Sequence, residues 1–331
     1  MTALVRAAAL ANFAEVCRQL GLNAHQMLRE AGIDARALAE PEMRLPGAQV
    51  AAVLETAAER SGCPTFGLRM AEQRRLADFG VVSLLIAHQR TLRDALETTM
   101  RYRHLLNESL AMHLEDSGDL AILREELLIE RSQPARQAYE LAIGVIFRLF
   151  RALLGPRWRP YSVNFSHAAP ADTNVHRRVF GVEVQFRSEF NGIVCPRADL
   201  DRPNPEAEPA MAEYARQFLD TLPGRGPASA VRDVRQAAWL LLPMGRASIA
   251  HVAQGLGLNV RTLQRRLSAE GAEFSDLLNG VRRDLAVRYL ANPAWSMTQI
   301  ARMLGYGQLS SFTRWFIAEF GVPPTAWRAK R

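Results

Sequence analysis

The sequence predicts an α+β domain followed by an all-α domain in which a long helix joins two helix-turn-helix motifs. Three observations carry that expectation. One supersecondary unit occurs twice towards the C-terminal end of the 331 residues. Upstream of it, Thr221-Leu222-Pro223-Gly224-Arg225-Gly226-Pro227 places two prolines and two glycines where neither helix nor strand can continue. Ahead of that break, helical periodicity alternates with short extended runs, the pattern of a mixed domain. The expected divisions are 1–222, a linker at 223–227, and 228–331.

Taken in order, residues 5–20 read as a helix, with Phe13, Val16 and Leu20 at helical spacing. The preceding Ala7-Ala8-Ala9-Leu10-Ala11 resembles a signal peptide only superficially. It runs into Glu15 and Arg18 without a long apolar stretch. Further helices are expected at 24–31, 47–60, 66–75, 79–87 and 91–107, the last opened by Thr91 with Asp94 three residues on, as in a capping box. Two strands follow, Ser109 to Leu114 and Leu120 to Arg124, with Glu115 to Asp119 as the hairpin turn and Glu125-Glu126 as a solvated edge. A strongly apolar helix runs from Ala135 to Leu154 and stops at Gly155-Pro156. Short strands at 160–166, 182–187 and 191–195, and helices near 172–179 and 206–220, complete the first domain.

The repeated unit spans about 248–269 and 296–320. Ala253-x-x-Leu256-Gly257 matches Ala301-x-x-Leu304-Gly305, and Leu263-x-Arg265-x-Leu267 matches Phe312-x-Arg314-x-Phe316. Ser248 and Ser296 suit the N-cap, because a hydroxyl accepts a bond from a first-turn amide. The small alanines let a second helix cross closely, and Gly257 and Gly305 permit a positive φ where the first helix stops. The second helix of each unit then carries apolar residues inside and polar ones outside. Asn259, Arg261, Thr262, Gln264 and Arg265 in the first unit, and Gln308, Ser310, Ser311 and Arg314 in the second, can bond base edges or phosphates from a major groove. Between the units, Phe274, Leu277, Leu278, Val281, Leu285, Tyr289 and Leu290 recur at helical spacing up to Asn292-Pro293, which predicts a rigid connector.

On these residues, 228–331 resembles the DNA-binding domain of the AraC/XylS family of bacterial transcription regulators. Gly305-Tyr306, Phe312-x-Arg314-x-Phe316 and Gly321-Val322-Pro323-Pro324-Thr325-Ala326-Trp327-Arg328 sit where that family's signature lies. Leu309 departs from it, since a polar residue is common there, although a leucine can still touch a thymine methyl. The first domain resembles the arabinose-binding-like effector domain of one branch of the family. Phe66-Gly67-Leu68-Arg69, Asp78-Phe79-Gly80, Trp158-Arg159-Pro160 and His167-Ala168-Ala169-Pro170-Ala171-Asp172 carry that likeness. The branch label does not imply arabinose as the ligand.

Charge agrees independently. Residues 228–331 hold 14 basic and 6 acidic side chains, whereas the first 227 hold 27 and 28, so the formal excess of +7 lies wholly with the repeat. A phosphate-binding surface has this footprint. Cys17, Cys63 and Cys195 form no C-x-x-C pair, which argues against a disulfide framework or zinc module and for a reducing cytoplasm. No apolar run approaches a membrane span. Nucleotide-binding, hydrolase and metalloprotease motifs are absent from the sequence, and His167 with Asp172 reads as a surface pair, so no catalytic residue, metal or cofactor is expected.

The function expected is a sequence-specific transcription regulator, an activator, controlled by a small organic effector bound in the first domain. Its partners would be double-stranded DNA, that effector, RNA polymerase and a second copy of the chain. One alternative is a first domain that only dimerises. Another is a fused DNA-repair alkyl acceptor, for which the cysteines lack the required spacing. The effector cavity is expected between the hairpin at 109–124 and the helices at 91–107 and 135–154, with Arg101, Tyr102, His104 and Asn107 as its polar groups. A dimer seam is expected along Met211, Tyr214, Phe218 and Leu222, unless that stripe packs on its own domain.

Overall fold

The computed structural model describes residues 3–128, 135–221, 229–256, 258–293 and 295–329. The linker 223–227, Leu222 and Gly257 lie outside the described residues. The chain divides into two compact units, Met1–Pro223 and Gly224–Arg331.

In the first unit β1 (Leu4–Arg6) pairs antiparallel with β2 (Arg44–Pro46). A five-stranded sheet is built from β3 (Leu110–Ser117), β4 (Leu120–Leu127), β5 (Ser162–Asn164), β6 (Val184–Gln185) and β7 (Asn191–Pro196). Its order is β3-β4-β7-β5-β6, with β5 and β6 parallel and the other pairs antiparallel. Ser117 pairs with Leu120, so the hairpin closes on Gly118 and Asp119 alone, with Gly118 at a φ of 63°. Two-residue hairpins favour glycine for this reason.

Around the sheet lie α1 (Phe13–Gln19), α2 (Ala24–Glu30), α3 (Gly47–Ser61), α4 (Phe66–Glu72), α5 (Val82–Ala87), α6 (Leu92–Arg101), α7 (Arg103–Leu106), α8 (Arg136–Leu154), α9 (Asn174–Phe180), α10 (Arg197–Leu200) and α11 (Pro209–Thr221). The apolar α8 packs on α4, α3 and the strands β4 and β7. Gly144 makes the α4 crossing tight, because a Cβ there would lie 2.5 Å from that of Ala71. Phe147, Phe150, Trp158, Phe165 and Phe180 interlock beside it, all buried. Rings at these separations add edge and stacking attraction to their buried area.

Three sequence expectations are corrected here. The helix over 5–20 is instead β1, a 3-10 turn at Ala7–Leu10, and α1, which starts after Asn12 at a φ of 69°. Pairing with residues near Arg44 supplies hydrogen bonds, among them Ala7 N–H to Met43 O at 2.7 Å, that override the helical preference of the alanines. The helix over 91–107 is divided at Tyr102 into α6 and α7. Glu125 is not at a solvated edge: β4 lies between β3 and β7, and Ala121, Leu123, Glu125 and Leu127 all face inward.

The second unit contains α12 (Ala230–Leu241), α13 (Ile249–Gly255), α14 (Val260–Ala269), α15 (Phe274–Leu290), α16 (Met297–Met303), α17 (Leu309–Phe320) and α18 (Pro324–Ala329). The two helix pairs α13–α14 and α16–α17 are built on the same plan. Val252, Ala253, Leu263 and Leu267 are buried in the first, and Ile300, Ala301, Phe312 and Phe316 in the second. Connector α15 buries Leu278, Val281, Leu285, Ala286, Tyr289 and Leu290, and its 17 residues span about 25 Å at a rise of about 1.5 Å each.

Candidate functional site

Each recognition-type helix is fixed at its start by a cap. Ser248 accepts a bond from the His251 amide at 3.2 Å, and Asn259 Oδ1 from the Thr262 amide at 2.8 Å. Ser296 and Gln299 form a reciprocal capping box, with bonds of 3.2 and 2.9 Å. Gly305 then turns the chain at a φ of 78°. Asn259 therefore commits its side-chain oxygen to the helix, leaving its amide nitrogen to donate elsewhere.

Arg261, Gln264 and Arg265 are exposed on α14, and Gln308, Ser310 and Arg314 on or just before α17. Thr262 and Ser311 are half-buried. Among the described residues, neither Arg265 nor Arg314 has a hydrogen-bond, ion-pair or ring partner, so neither braces its own fold. Two exposed groups beside them were absent from the sequence-derived list. Arg266 follows Arg265 on α14, and Leu309 opens α17 at 41% exposure. Doubled arginines on a predicted outer face were the available signal for Arg266.

The second pair is held by an aromatic cluster that the first lacks. Phe312, Phe316, Phe320, Trp315, Tyr306 and Trp327 meet ring to ring, with Phe316 and Phe320 stacked at 4.3 Å. From α15, Arg282 donates to Leu304 O at 3.2 Å and lies over the Tyr306 ring, while Arg283 Nε donates to Glu319 at 2.9 Å. These bonds tie the connector directly to the second head.

Residues 21–204 match the family described as the N-terminal arabinose-binding domain of AraC transcription regulators, and residues 252–330 match a helix-turn-helix domain family. The protein is an AraC-family transcription regulator. Its relatives include the HTH-type transcriptional regulator VirS of Mycobacterium tuberculosis, 32% identical over 98% of this chain and 96% of that protein. The ornithine utilization regulator of Pseudomonas aeruginosa is 25% identical over 95% of this chain and 93% of its own length. Among solved structures, the transcriptional regulator CdpR from Pseudomonas aeruginosa aligns over 94% of this chain and 97% of its own, at 22% identity and a TM-score of 0.45. The AraC-family assignment makes the two exposed helix faces those of a DNA-binding, helix-turn-helix regulator.

This AraC-family chain has a cavity of about 150 Å³ in its first unit. Its apolar wall includes Val50, Leu54, Phe79, Met112, Leu141 and Ile146. The polar lining is Arg6, Arg74, Asp78, Thr99, Arg103, Asn107 and Ser109. Of the four groups expected from sequence, the structure brings only Asn107 to it. Arg101 is exposed, Tyr102 is buried elsewhere in the core, and His104 packs its ring near Tyr102 without lining the cavity. The break at Tyr102 turns α7 relative to α6, which periodicity over an unbroken helix did not anticipate. Arg74 and Arg6 were missed because their neighbours are remote in sequence. Arg74, for example, bonds Ala8 O.

Other reactive groups resolve differently. Cys17, Cys63 and Cys195 are buried, and burial pushes the Cys17 thiol up to about 11 and Cys195 up to about 12. Such thiols are protonated and poor nucleophiles. His167 does not pair with Asp172. Its Nε2 lies 3.5 Å from Glu140 Oε1, which also meets His176 Nε2 at 3.1 Å, while Asp172 accepts the Asn174 amide. Among the described residues no set of His, Cys, Asp or Glu side chains forms a metal-binding group, and no helix is long and apolar enough to cross a membrane.

Proposed function

We propose that this AraC-family regulator is a cytoplasmic activator that binds double-stranded DNA as a homodimer and answers to a small organic effector in the cavity of its first unit. The cavity is the observation that carries the effector reading. It lies among α6, α7, β3, β4 and α8, combines an apolar wall with a few polar groups, and so has the make-up of a ligand pocket. On this reading Arg261, Gln264, Arg265 and Arg314 contact bases or phosphates, and Asn259, Thr262, Gln308, Ser310 and Ser311 complete the surface. RNA polymerase is the partner through which an activator acts.

A ligand can redirect the reading heads only as far as its affinities for the two arrangements differ. The test is a thermal-shift screen of the full chain against small metabolites, followed by footprinting on its promoter with and without each stabilising compound. A true effector raises the melting temperature and changes promoter occupancy or transcription. A broad panel in which nothing stabilises the chain leaves a first unit that only dimerises.

A further inference from the structure

The cavity of the first unit has an electrostatic character that its apolar wall conceals. Arg74 lines it and is 5% exposed. Its two terminal nitrogens donate to Ala8 O and Ala9 O, both neutral, and its Nε is buried without a partner. Among the described residues no carboxylate stands within ion-pair distance of it. Burial pushes this guanidinium down to about 10, an effect that Asp78 partly offsets and Arg6 reinforces. It remains a cation at neutral pH.

The other charges on the wall do not cancel it. Arg6 is already paired with Glu42, its Nε donating at 2.9 Å. Asp78 is the one acidic side chain in the lining, and it accepts the Arg75 amide at 2.9 Å. Arg103 also faces the cavity, so two arginines beyond the Arg6–Glu42 pair stand against one aspartate. A buried cation without a counter-charge is costly unless an anion completes it.

A second observation points the same way. The cavity reaches Gly47 and Val50 in the first turn of α3, a 15-residue helix. That helix has no side-chain cap and no acidic residue in its first turn, so its positive end is not answered by the protein. Thr99 and Ser109 already donate to Ala95 O and Ala3 O, and Asn107 Oδ1 accepts the Ser109 amide. Free donor capacity is left on Arg74 Nε and the Asn107 amide nitrogen.

We propose that this cavity binds an organic monocarboxylate, its carboxylate held by Arg74 and its hydrocarbon body against Val50, Leu54, Leu141 and Ile146. An apolar cavity of about 150 Å³ accepts a benzene-sized body, so benzoate and hexanoate are fitting probes. The proposal rests on the effector reading above and specifies its chemistry.

The experiment measures binding of benzoate and hexanoate to the full chain by calorimetry and thermal shift, beside benzamide, hexanamide and benzylamine. The carboxylates should bind and raise the melting temperature, with the amides at least about tenfold weaker, the loss expected when a charge-assisted bond is removed, and benzylamine inert. Arg74→Gln should lower carboxylate affinity by a similar factor. Because that change also removes bonds to Ala8 and Ala9, Ala142→Phe is the companion variant: it fills the cavity from α8 and should abolish binding with Arg74 in place. Amides binding as well as acids would overturn the carboxylate assignment while leaving an effector cavity standing. Carboxylate binding that survives Ala142→Phe would place it elsewhere and overturn the proposal. If none of the five probes binds, the proposal fails; the effector reading fails only if the broad metabolite screen is also blank.

Discussion

Arg265 and Arg314 occupy equivalent places in two copies of one unit, and both stand exposed without a protein partner among the described residues. An arginine so placed has its whole fork of donors available for a guanine edge or a phosphate. If Arg265 reads a guanine, Arg265→Ala should cost about 1–3 kcal/mol of binding and relax preference at one base pair. Competition assays with single-base variants check this, and an equal loss on specific and random DNA would reduce its role to phosphate contact. Glu125 is a different kind of residue, hidden on β4 with both carboxyl oxygens unpartnered. Burial pushes it up to about 8 from the usual 4.5, so the folded chain holds a proton that the unfolded chain releases. Its contribution to stability is therefore whole below the unfolded value and is lost as pH rises through the folded one. Glu125→Gln keeps the shape without the charge. Its melting temperature should exceed the parent's by several degrees near about pH 8.5 and match it near about pH 5. Parallel profiles would show that Glu125 is not the titrating group. Sequence gave no hint of this residue, since a Glu-Glu pair after a strand reads as surface until the neighbouring strand β7 is known.

Among secondary-structure elements, legibility followed how local the cause is. The caps of α13 and α16, the turn at Gly305 and the connector α15 were visible because spacing within a few residues creates them. The hairpin β3–β4 was visible for the same reason, although its turn proved shorter. What failed was β1, whose partner β2 lies nearly forty residues on, and the continuity of α6 with α7. Helix α11 illustrates both outcomes. Its Ala215 and Leu219 are buried where it packs on α5, while Met211, Tyr214 and Phe218 are exposed. Val81 and Leu84, at the start of α5 and within it, are exposed as well, so these two packed helices hold five of the eight exposed large apolar side chains among the described residues. An apolar face gathered in this way is the natural place for a second copy of the chain. Replacing Tyr214 and Phe218 by glutamate should leave the melting temperature within a degree or two, because both are at the surface, and shift sedimentation from dimer to monomer at micromolar concentrations. A double variant that still sediments as a dimer would place the interface elsewhere.

Across the whole molecule, charge and topology divide the labour. The excess of basic side chains is confined to 228–331, and composition alone made that half's partner legible. The cavity in the other half was foreseen only as a region. Its wall gathers residues from β1, α3, α6, α7, both strands of the hairpin and α8, and its charge depends on Arg74 meeting Ala8 and Ala9, contacts that no local pattern encodes. The strand order has a further consequence, for the time course of folding. The first-made hairpin β3–β4 stays one-sided until β7 arrives, since Ala121 pairs with Cys195 and Leu123 with Ile193. In the growing chain the β4 edge must wait for everything up to Pro196 to be synthesised, whereas each helix pair of the second unit closes on residues within a few turns of itself. Long-range pairing of this kind is slow, and an open strand edge with an apolar inner row invites other chains to occupy it. The half of the protein made first is thus the half that finishes last, and a chain interrupted before Asn191 would be left with β4 as an adhesive edge.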